Sequence, residues 1–242
     1  MSRAAHRVEY TGGYVLHHRP YRDTSLIVEL YTRTHGRLSA FARGARGPRS
    51  RFHGLQPFRP LLLSWVGRGE APTLTAAEGD GPPPVPVPAG RLLSGFYLNE
   101  LMLKLTVAHD PQPELYEHYA SSLGALRSSE PLEPLLRRFE KRLLDLLGYG
   151  SDLVREAGGR AVTPDAYYHF HPGVGVVSAP GASNAVQGRV LLALAAETPL
   201  EDAEGQRQAR ALLRSALDHC LDGRELKVRE VARAVANMER SA

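Results

Sequence analysis

The chain has little with which to do covalent chemistry. Cys220 is its only cysteine in 242 residues, which excludes an intramolecular disulfide and a thiolate zinc cluster. Its place in a helical stretch marks it as a buried core residue. There is no Gly-Lys dipeptide, hence no P-loop, and no Gly-x-Ser-x-Gly nucleophile elbow. No run approaches 18 apolar residues, and Met1-Ser2-Arg3-Ala4-Ala5-His6-Arg7 lacks an apolar signal core. The expectation is a soluble protein of the cytoplasm without a membrane partner. Lysine is scarce as well, with only Lys104, Lys141 and Lys227 among 30 basic residues, a mark of base composition rather than mechanism. One further absence is local: no acid occurs between Glu29 and Glu70.

That acid-free stretch is where arginine concentrates. Arg33, Arg37, Arg43, Arg46, Arg49, Arg51 and Arg59 fall within it, and its middle reads Arg43-Gly44-Ala45-Arg46-Gly47-Pro48-Arg49-Ser50-Arg51. A run of like charge is often only a solvated face. Here the arginines ride on glycines and a proline, where no helix needs them for amphipathicity. They also adjoin strand-like segments with aromatics, the mixture of a surface that tracks phosphates and stacks bases. Residues 1–80 hold 12 arginines against 6 acids, whereas residues 91–242 hold 18 basic and 20 acidic residues. The surplus positive charge of the whole chain therefore lies in its first third, which points to a polyanionic partner there.

Apolar content of 43% is that of a globular protein. Five short strand-like segments occupy the first 80 residues: Val8–His18 with a bulge at Gly12-Gly13, Ser25–Thr32, Arg37–Arg43, Leu55–Val66, and Ala71–Ala77. The turns Arg19-Pro20-Tyr21-Arg22-Asp23, Thr34-His35-Gly36 and Gly67-Arg68-Gly69 separate them. This pattern predicts a small barrel of OB type, with an SH3-like barrel as the structural alternative. Five prolines between Gly81 and Gly90 read as an extended, stiff linker. Beyond it the apolar period is helical, at 91–109, 113–126, 134–147, 187–196, 201–221 and 228–238. Gly148 and Gly223 are the expected helix stops. The broad stripe of Leu92, Leu93, Phe96, Tyr97, Leu98, Leu101, Met102 and Leu105 belongs in the middle of a helical bundle. An irregular insertion at 151–185 carries a short hairpin near Tyr167–Phe170 and Val174–Ser178. The fold class is thus α+β: a five-stranded OB-type barrel at 1–80, a linker at 81–90, and a mainly helical domain at 91–242.

Metal chemistry has thin support. His169-Phe170-His171 shares a strand face with only Asp165 close by, His17-His18 is weaker, and Asp23 with Glu29 or Glu78 with Asp80 are isolated acids in strands and turns. Nothing assembles a nucleophile, a base and an oxyanion donor. No catalytic residue, metal or cofactor is assigned, and the chain is not read as an enzyme. Arg137, Arg138, Lys141 and Arg142 crowd one helix face. They are either a solvated face paired with Glu140 and Asp145 or the cationic rim of a groove for an acidic peptide with a hydrophobic end.

Several segments resemble one family. Tyr14-Val15-Leu16-His17-His18-Arg19-Pro20-Tyr21-Arg22-Asp23-Thr24-Ser25-Leu26, Gly36-Arg37, Arg43-Gly44-Ala45-Arg46 and Leu55-Gln56-Pro57-Phe58 are similar to the N-terminal barrel of RecO recombination mediators. Tyr97-Leu98-Asn99-Glu100-Leu101, the run Leu136-Arg137-Arg138-Phe139-Glu140-Lys141-Arg142-Leu143-Leu144, and Leu147-Gly148-Tyr149-Gly150 are similar to the family's helical domain. The resemblance implies a bacterial, nucleoid-associated DNA repair protein that binds single- and double-stranded DNA and anneals complementary strands. It implies action with RecR to load RecA onto DNA coated by the single-stranded-DNA-binding protein, whose acidic C-terminal tail docks on the helical domain. Arg19, Arg22, Arg37, Arg43, Arg46, Arg49, Arg51 and Arg68 would then bind DNA, and Leu98, Leu101, Leu105, Arg137, Arg138 and Arg142 the peptide. Some relatives carry a four-cysteine zinc module after Leu-Gly-Tyr-Gly; this chain has no cysteine there and no zinc is carried over. The competing readings are an RNA-binding OB protein of the translation apparatus and a metal-dependent nuclease.

Overall fold

The computed structural model describes residues 6–52, 54–69, 71–182 and 185–241. Five strands, β1 (Arg7–Tyr21), β2 (Ser25–Thr32), β3 (Gly36–Ala42), β4 (Leu61–Val66) and β5 (Thr73–Gly79), close into a barrel in the order β1-β2-β3-β5-β4. Closure in this order, with β3 and β5 meeting in parallel at Phe41 and Thr73, is the OB-type arrangement. Alternation sets the faces. Along β3, Leu38, Ala40 and Ala42 point into the core while Arg37, Ser39 and Phe41 point out.

β1 serves two neighbours because it bends. Its first half pairs with β4, from Arg7↔Val66 to Gly13↔Leu61, and its second half with β2, from Gly13↔Thr32 to Tyr21↔Ser25. The bulges lie at Val8–Thr11 and Val15–His17, on either side of the Gly12-Gly13 pair rather than at it. Those glycines meet a packing need instead: a Cβ on Gly13 would stand 2.6 Å from Leu63 Cδ1. β4 begins at Leu61, six residues later than the apolar pattern of Leu55–Val66 suggests. Pro57 and Pro60 cannot donate to a ladder, and Phe58 turns the chain with φ 68°. Phe52 and Leu55 still reach the barrel core.

The chain forms two compact units, residues 1–127 with 226–242, and residues 128–225. This division by compactness does not fall at the proline-rich stretch; it leaves α-helical residues on the barrel's side of the divide. The prolines are fastened within the first unit, where Val87 is buried and the Val85 carbonyl accepts Arg127 Nε at 2.8 Å. Helices α1 (Leu92–Leu105) and α2 (Pro113–Ala125) and the C-terminal α6 (Lys227–Ser241) belong to the barrel's unit.

The broad apolar stripe of α1 is shared between β1, Phe58 and the C-terminal helix α6. Gly95 allows this approach, since a Cβ there would meet the Phe58 ring at 2.8 Å. Asn99, 2% exposed, donates from Nδ2 to the Leu16 carbonyl at 2.8 Å. Leu16 is the residue that the second bulge of β1 leaves out of the ladder. The amide thereby satisfies an acceptor that strand pairing leaves over. Tyr119 of α2 closes the network by donating its hydroxyl to Asn99 Oδ1 at 2.6 Å. Around it Tyr14, Tyr31, Tyr116 and Tyr119 pack ring against ring at 5.3 to 6.2 Å. Burial pushes the hydroxyl pKa of all four upward. Glu100 accepts the backbone N–H groups of Lys227 and Val228, both at 2.9 Å, and so caps the start of α6.

In the second unit, α3 (Leu132–Leu146), α4 (Gly188–Ala195) and α5 (Ala203–Leu221) pack with a small antiparallel sheet. Its strands are β6 (Tyr167–His171), β7 (Gly175–Ser178) and β8 (Val186–Gln187), in the order β7-β6-β8. Gly148, φ 81°, ends α3, and Asp222 with Gly223, φ 47° and 76°, ends α5. Asp202 caps α5 by accepting Gly205 N–H at 2.7 Å and holds Arg189 in a bidentate pair at 2.6 and 2.9 Å. Cys220 lies in α5 but only half buried, against the expectation of full burial. No helix among the described residues is long and apolar enough to cross a membrane.

Candidate nucleic-acid interface

Two connections at one end of the barrel carry most of the arginines singled out from sequence. The β1–β2 hairpin turns at Arg22-Asp23-Thr24, with Arg22 at φ 52°. After β3, the chain winds through residues 43–51 in successive tight turns, closed by Gly47 N–H to the Gly44 carbonyl at 3.1 Å and Ser50 N–H to the Gly47 carbonyl at 3.0 Å. Gly44 sits at φ 73°, and a Cβ added there would meet no atom within 4 Å; its backbone angle, not crowding, calls for glycine. Arg46 N–H donates to the Thr24 carbonyl at 2.8 Å and ties the two connections together. Phe52, 4% exposed, anchors the far end of the loop in the core.

The structure thus brings Arg22 together with the loop that carries Arg43, Arg46, Arg49 and Arg51, and Arg19 lies on the adjoining end of β1. All six are exposed, and none makes an ion pair among the described residues. Unpaired guanidinium groups on a pinned backbone keep their full charge for an external anion. Aromatic rings adjoin them. Arg22 lies over the Tyr21 ring at 5.3 Å, and that ring is 5.1 Å from Phe41. Both rings are half buried on the barrel's outer face, available as a platform on which bases stack. Tyr21 and Phe41 were absent from the residues assigned on sequence. The signal was present in strand alternation, since β3 turns Phe41 outward, but only the register Arg19↔Ile27↔Phe41 shows which strand neighbours it.

Two assigned arginines lie elsewhere. Arg37 is the second residue of β3, at the end away from the loop, and its side chain is engaged within the first unit. Its Nε and Nη2 donate to the Thr106 carbonyl at 3.3 and 3.2 Å, and its Nη1 is 3.6 Å from Glu29. Partly buried and occupied, it is not free to hold a phosphate. Arg68 is exposed on the β4–β5 hairpin, beside a separate cavity with His35. Among the unassigned arginines of the acid-free stretch, Arg33 pairs with Glu117 at 2.9 Å.

Of the peptide residues assigned from sequence, two lie in the core. Leu98 and Leu101 are fully buried in α1 of the first unit. They are core, and a ligand cannot reach them. Leu105 is half buried in the same helix. Arg137 and Arg138 belong to α3 of the second unit and rim a cavity of about 60 Å³ together with Lys141. Its apolar wall comes from Leu194 of α4, from Pro199 and Leu200, and from Ala209 of α5. Arg142 does not line it. Arg138 pairs with Glu130 at 2.7 Å, Lys141 with Asp145 at 2.6 Å and Arg137 with Glu140 at 2.8 Å, while Arg137 Nε is buried without a partner. Sequence periodicity missed Leu194 and Leu200 because they come from elements 50 and more residues downstream. His169 and His171 share a face of β6 with rings 6.0 Å apart, and among the described residues no three His, Cys, Asp or Glu side chains are placed to hold a metal ion.

Comparison with known proteins agrees with this architecture. Residues 7–81 match the family model described as recombination protein O N terminal, and residues 89–230 match the model for recombination protein O C terminal. The chain is similar to the DNA repair protein RecO of Thiobacillus denitrificans, 41% identical over 96% of this chain and 94% of the relative. It is also similar to those of Methylococcus capsulatus, 44% identical over 94% of each chain, and Alkalilimnicola ehrlichii, 45% identical over 98% of this chain and 95% of the relative.

Proposed function

Because the chain belongs to the RecO family of DNA repair proteins, we propose that it acts as a recombination mediator. In this reading it binds single- and double-stranded DNA through the arginine end of the barrel and anneals complementary strands. With RecR it loads RecA onto DNA coated by the single-stranded-DNA-binding protein. It works in the cytoplasm, at the nucleoid.

The observation that carries the proposal is the set of six exposed arginines without an ion pair among the described residues, gathered on two tied connections beside Tyr21 and Phe41. Fixed cations with no base-reading side chains hold backbones irrespective of sequence. Annealing follows without bond chemistry, since neutralising two phosphate backbones lowers the repulsion between strands.

The acidic tail of the single-stranded-DNA-binding protein is assigned to the cavity on the second unit. Arg137, Arg138 and Lys141 suit the acidic residues, and the Leu194, Pro199 and Leu200 wall suits an apolar side chain.

The test is the salt dependence of binding to a labelled single strand. If all six arginines meet phosphates, log K falls against log salt with a slope of roughly −4. A slope near zero would remove the phosphate-tracking surface and the proposal with it.

A further inference from the structure

A second cationic concavity lies in the first unit, away from the arginine loop. It measures about 270 Å³ and is lined by His6, His35, Trp65, Arg68 and His109, with Leu38, Pro72 and the backbone of Gly67 and Gly69. Three imidazoles and one guanidinium face it, and no carboxylate of the described residues lines it.

Its walls come from four separate connections, each held in place. The His6 carbonyl accepts Gly67 N–H at 2.9 Å, which ties the start of β1 to the β4–β5 hairpin. His35 sits in the β2–β3 turn, where its Nδ1 is 2.9 Å from Thr34 Oγ1, leaving Nε2 for another partner. His109 follows α1 at φ 61° and donates its N–H to the Arg37 carbonyl at 2.8 Å. Trp65, 3% exposed, meets the His35 ring edge to face at 5.1 Å. Gly36 admits the loop after α1, because a Cβ there would meet the Asp110 backbone at 2.3 Å.

Three imidazoles invite a metal, but no three of the described ligating side chains are placed to share one. An anion suits the lining better. We infer that this concavity is a phosphate subsite for a nucleic-acid strand, held by Arg68 at all pH values and by His35 once its imidazole is protonated. The inference rests on the DNA-binding reading and extends it by a second, pH-tuned contact.

The charged groups around it have other partners or point elsewhere. Arg33 pairs with Glu117, Arg37 with Glu29, and Arg7 with Glu9. Asp110 accepts Gln112 Nε2 at 3.0 Å. Glu70 follows Gly69 in sequence and lies outside the described residues. Burial lowers the His35 pKa, and the neighbouring His6 and His109 lower it further. The free His35 imidazole is thereby biased toward its neutral state. A bound phosphate favours the His35 imidazolium and raises its pKa. The added affinity is therefore full below the free-state pKa and is lost as pH rises through the bound-state pKa.

Trp65 is the only tryptophan in the chain, so its emission reports on this site alone. The experiment titrates the full-length protein with inorganic phosphate and, separately, with a short single-stranded oligonucleotide, at pH 5.5 and pH 8.0 and constant ionic strength. Trp65 fluorescence reads the site, and anisotropy of the labelled strand reads total binding. A one-unit rise in a single imidazole pKa corresponds to about tenfold tighter binding at the lower pH. That ratio should collapse toward one in a His35→Gln, His109→Asn variant, asparagine being tolerant of the positive φ at 109. Arg68→Gln should weaken binding at both pH values alike, which gives a second readout if the double variant folds poorly.

A pH ratio of one in the wild type, or one that survives in the histidine variant, would overturn the inference. So would a Trp65 signal that responds to inorganic phosphate but not to the oligonucleotide, which would make this a site for a small phosphate ligand. Strand binding by anisotropy with Trp65 silent would remove this subsite and leave the arginine surface standing. Absence of strand binding at both pH values would remove both.

Discussion

Replacing Asn99 with leucine should destabilise the first unit far more than its size suggests. The side chain is 2% exposed and bridges three elements. Its Nδ2 donates to the Leu16 carbonyl at 2.8 Å, and its Oδ1 accepts the Tyr119 hydroxyl at 2.6 Å. Leu16 and Tyr119 are 3% and 0% exposed, so water cannot replace the lost partner at either. Leucine fills nearly the same space, which leaves few packing terms to confuse the result. Each stranded buried group costs about 1–3 kcal/mol, so the loss is about 2–6 kcal/mol, a large part of a domain's total of about 5–15 kcal/mol. Urea denaturation followed by far-UV circular dichroism measures it. Tyr119→Phe alone should cost about 1–2 kcal/mol. The double variant should lose less than the sum, because leucine at 99 has already removed the hydroxyl's partner. An Asn99→Leu protein within about 0.5 kcal/mol of wild type, or strictly additive losses, would refute the claim that this amide completes the bulged strand.

Two further outcomes separate structural from binding roles. Arg37→Ala should lower stability by about 1.5–3 kcal/mol, the range for a hydrogen bond from a charged group, and leave affinity for a DNA strand nearly as it was; a large loss of affinity with unchanged stability would reverse the assignment. A labelled peptide copying the acidic C-terminus of a bacterial single-stranded-DNA-binding protein should bind with micromolar affinity and lose that binding in Arg138→Glu, whereas an indifferent variant would move the peptide site away from α3.

The barrel was legible because each strand announces itself by alternation and each turn by glycine or by a polar cluster. β3 shows this best, with Leu38, Ala40 and Ala42 alternating against Arg37, Ser39 and Phe41. The arginine loop was legible for the same reason: seven arginines without an intervening acid are a one-dimensional signal. What periodicity could not tell was which surface an apolar stripe meets. The stripe of α1 fits a helical bundle as well as it fits a barrel wall, and the peptide role that the family resemblance implied for Leu98 and Leu101 falls on residues that are core. The prolines at 82–88 looked like a domain boundary because proline excludes regular structure. The two family models meet at this stretch, and what the sequence could not show is that Arg127 fastens it to the first unit. Arg37 resembled its neighbours in sequence, but its partner Thr106 is 69 residues away. Such long-range pairing is invisible along the chain.

The central claim is that the exposed arginines of the 43–51 loop hold the DNA backbone. Fluorescence anisotropy of a labelled single strand across a salt series, with wild type and Arg43→Glu, Arg46→Glu compared, tests it most directly. Both residues are exposed and hold no ion pair among the described residues, so the fold and its circular dichroism should be unaffected. The account predicts markedly weaker binding and a salt slope reduced from roughly −4 to about −3 or shallower. Unchanged affinity and slope in a folded variant would contradict it.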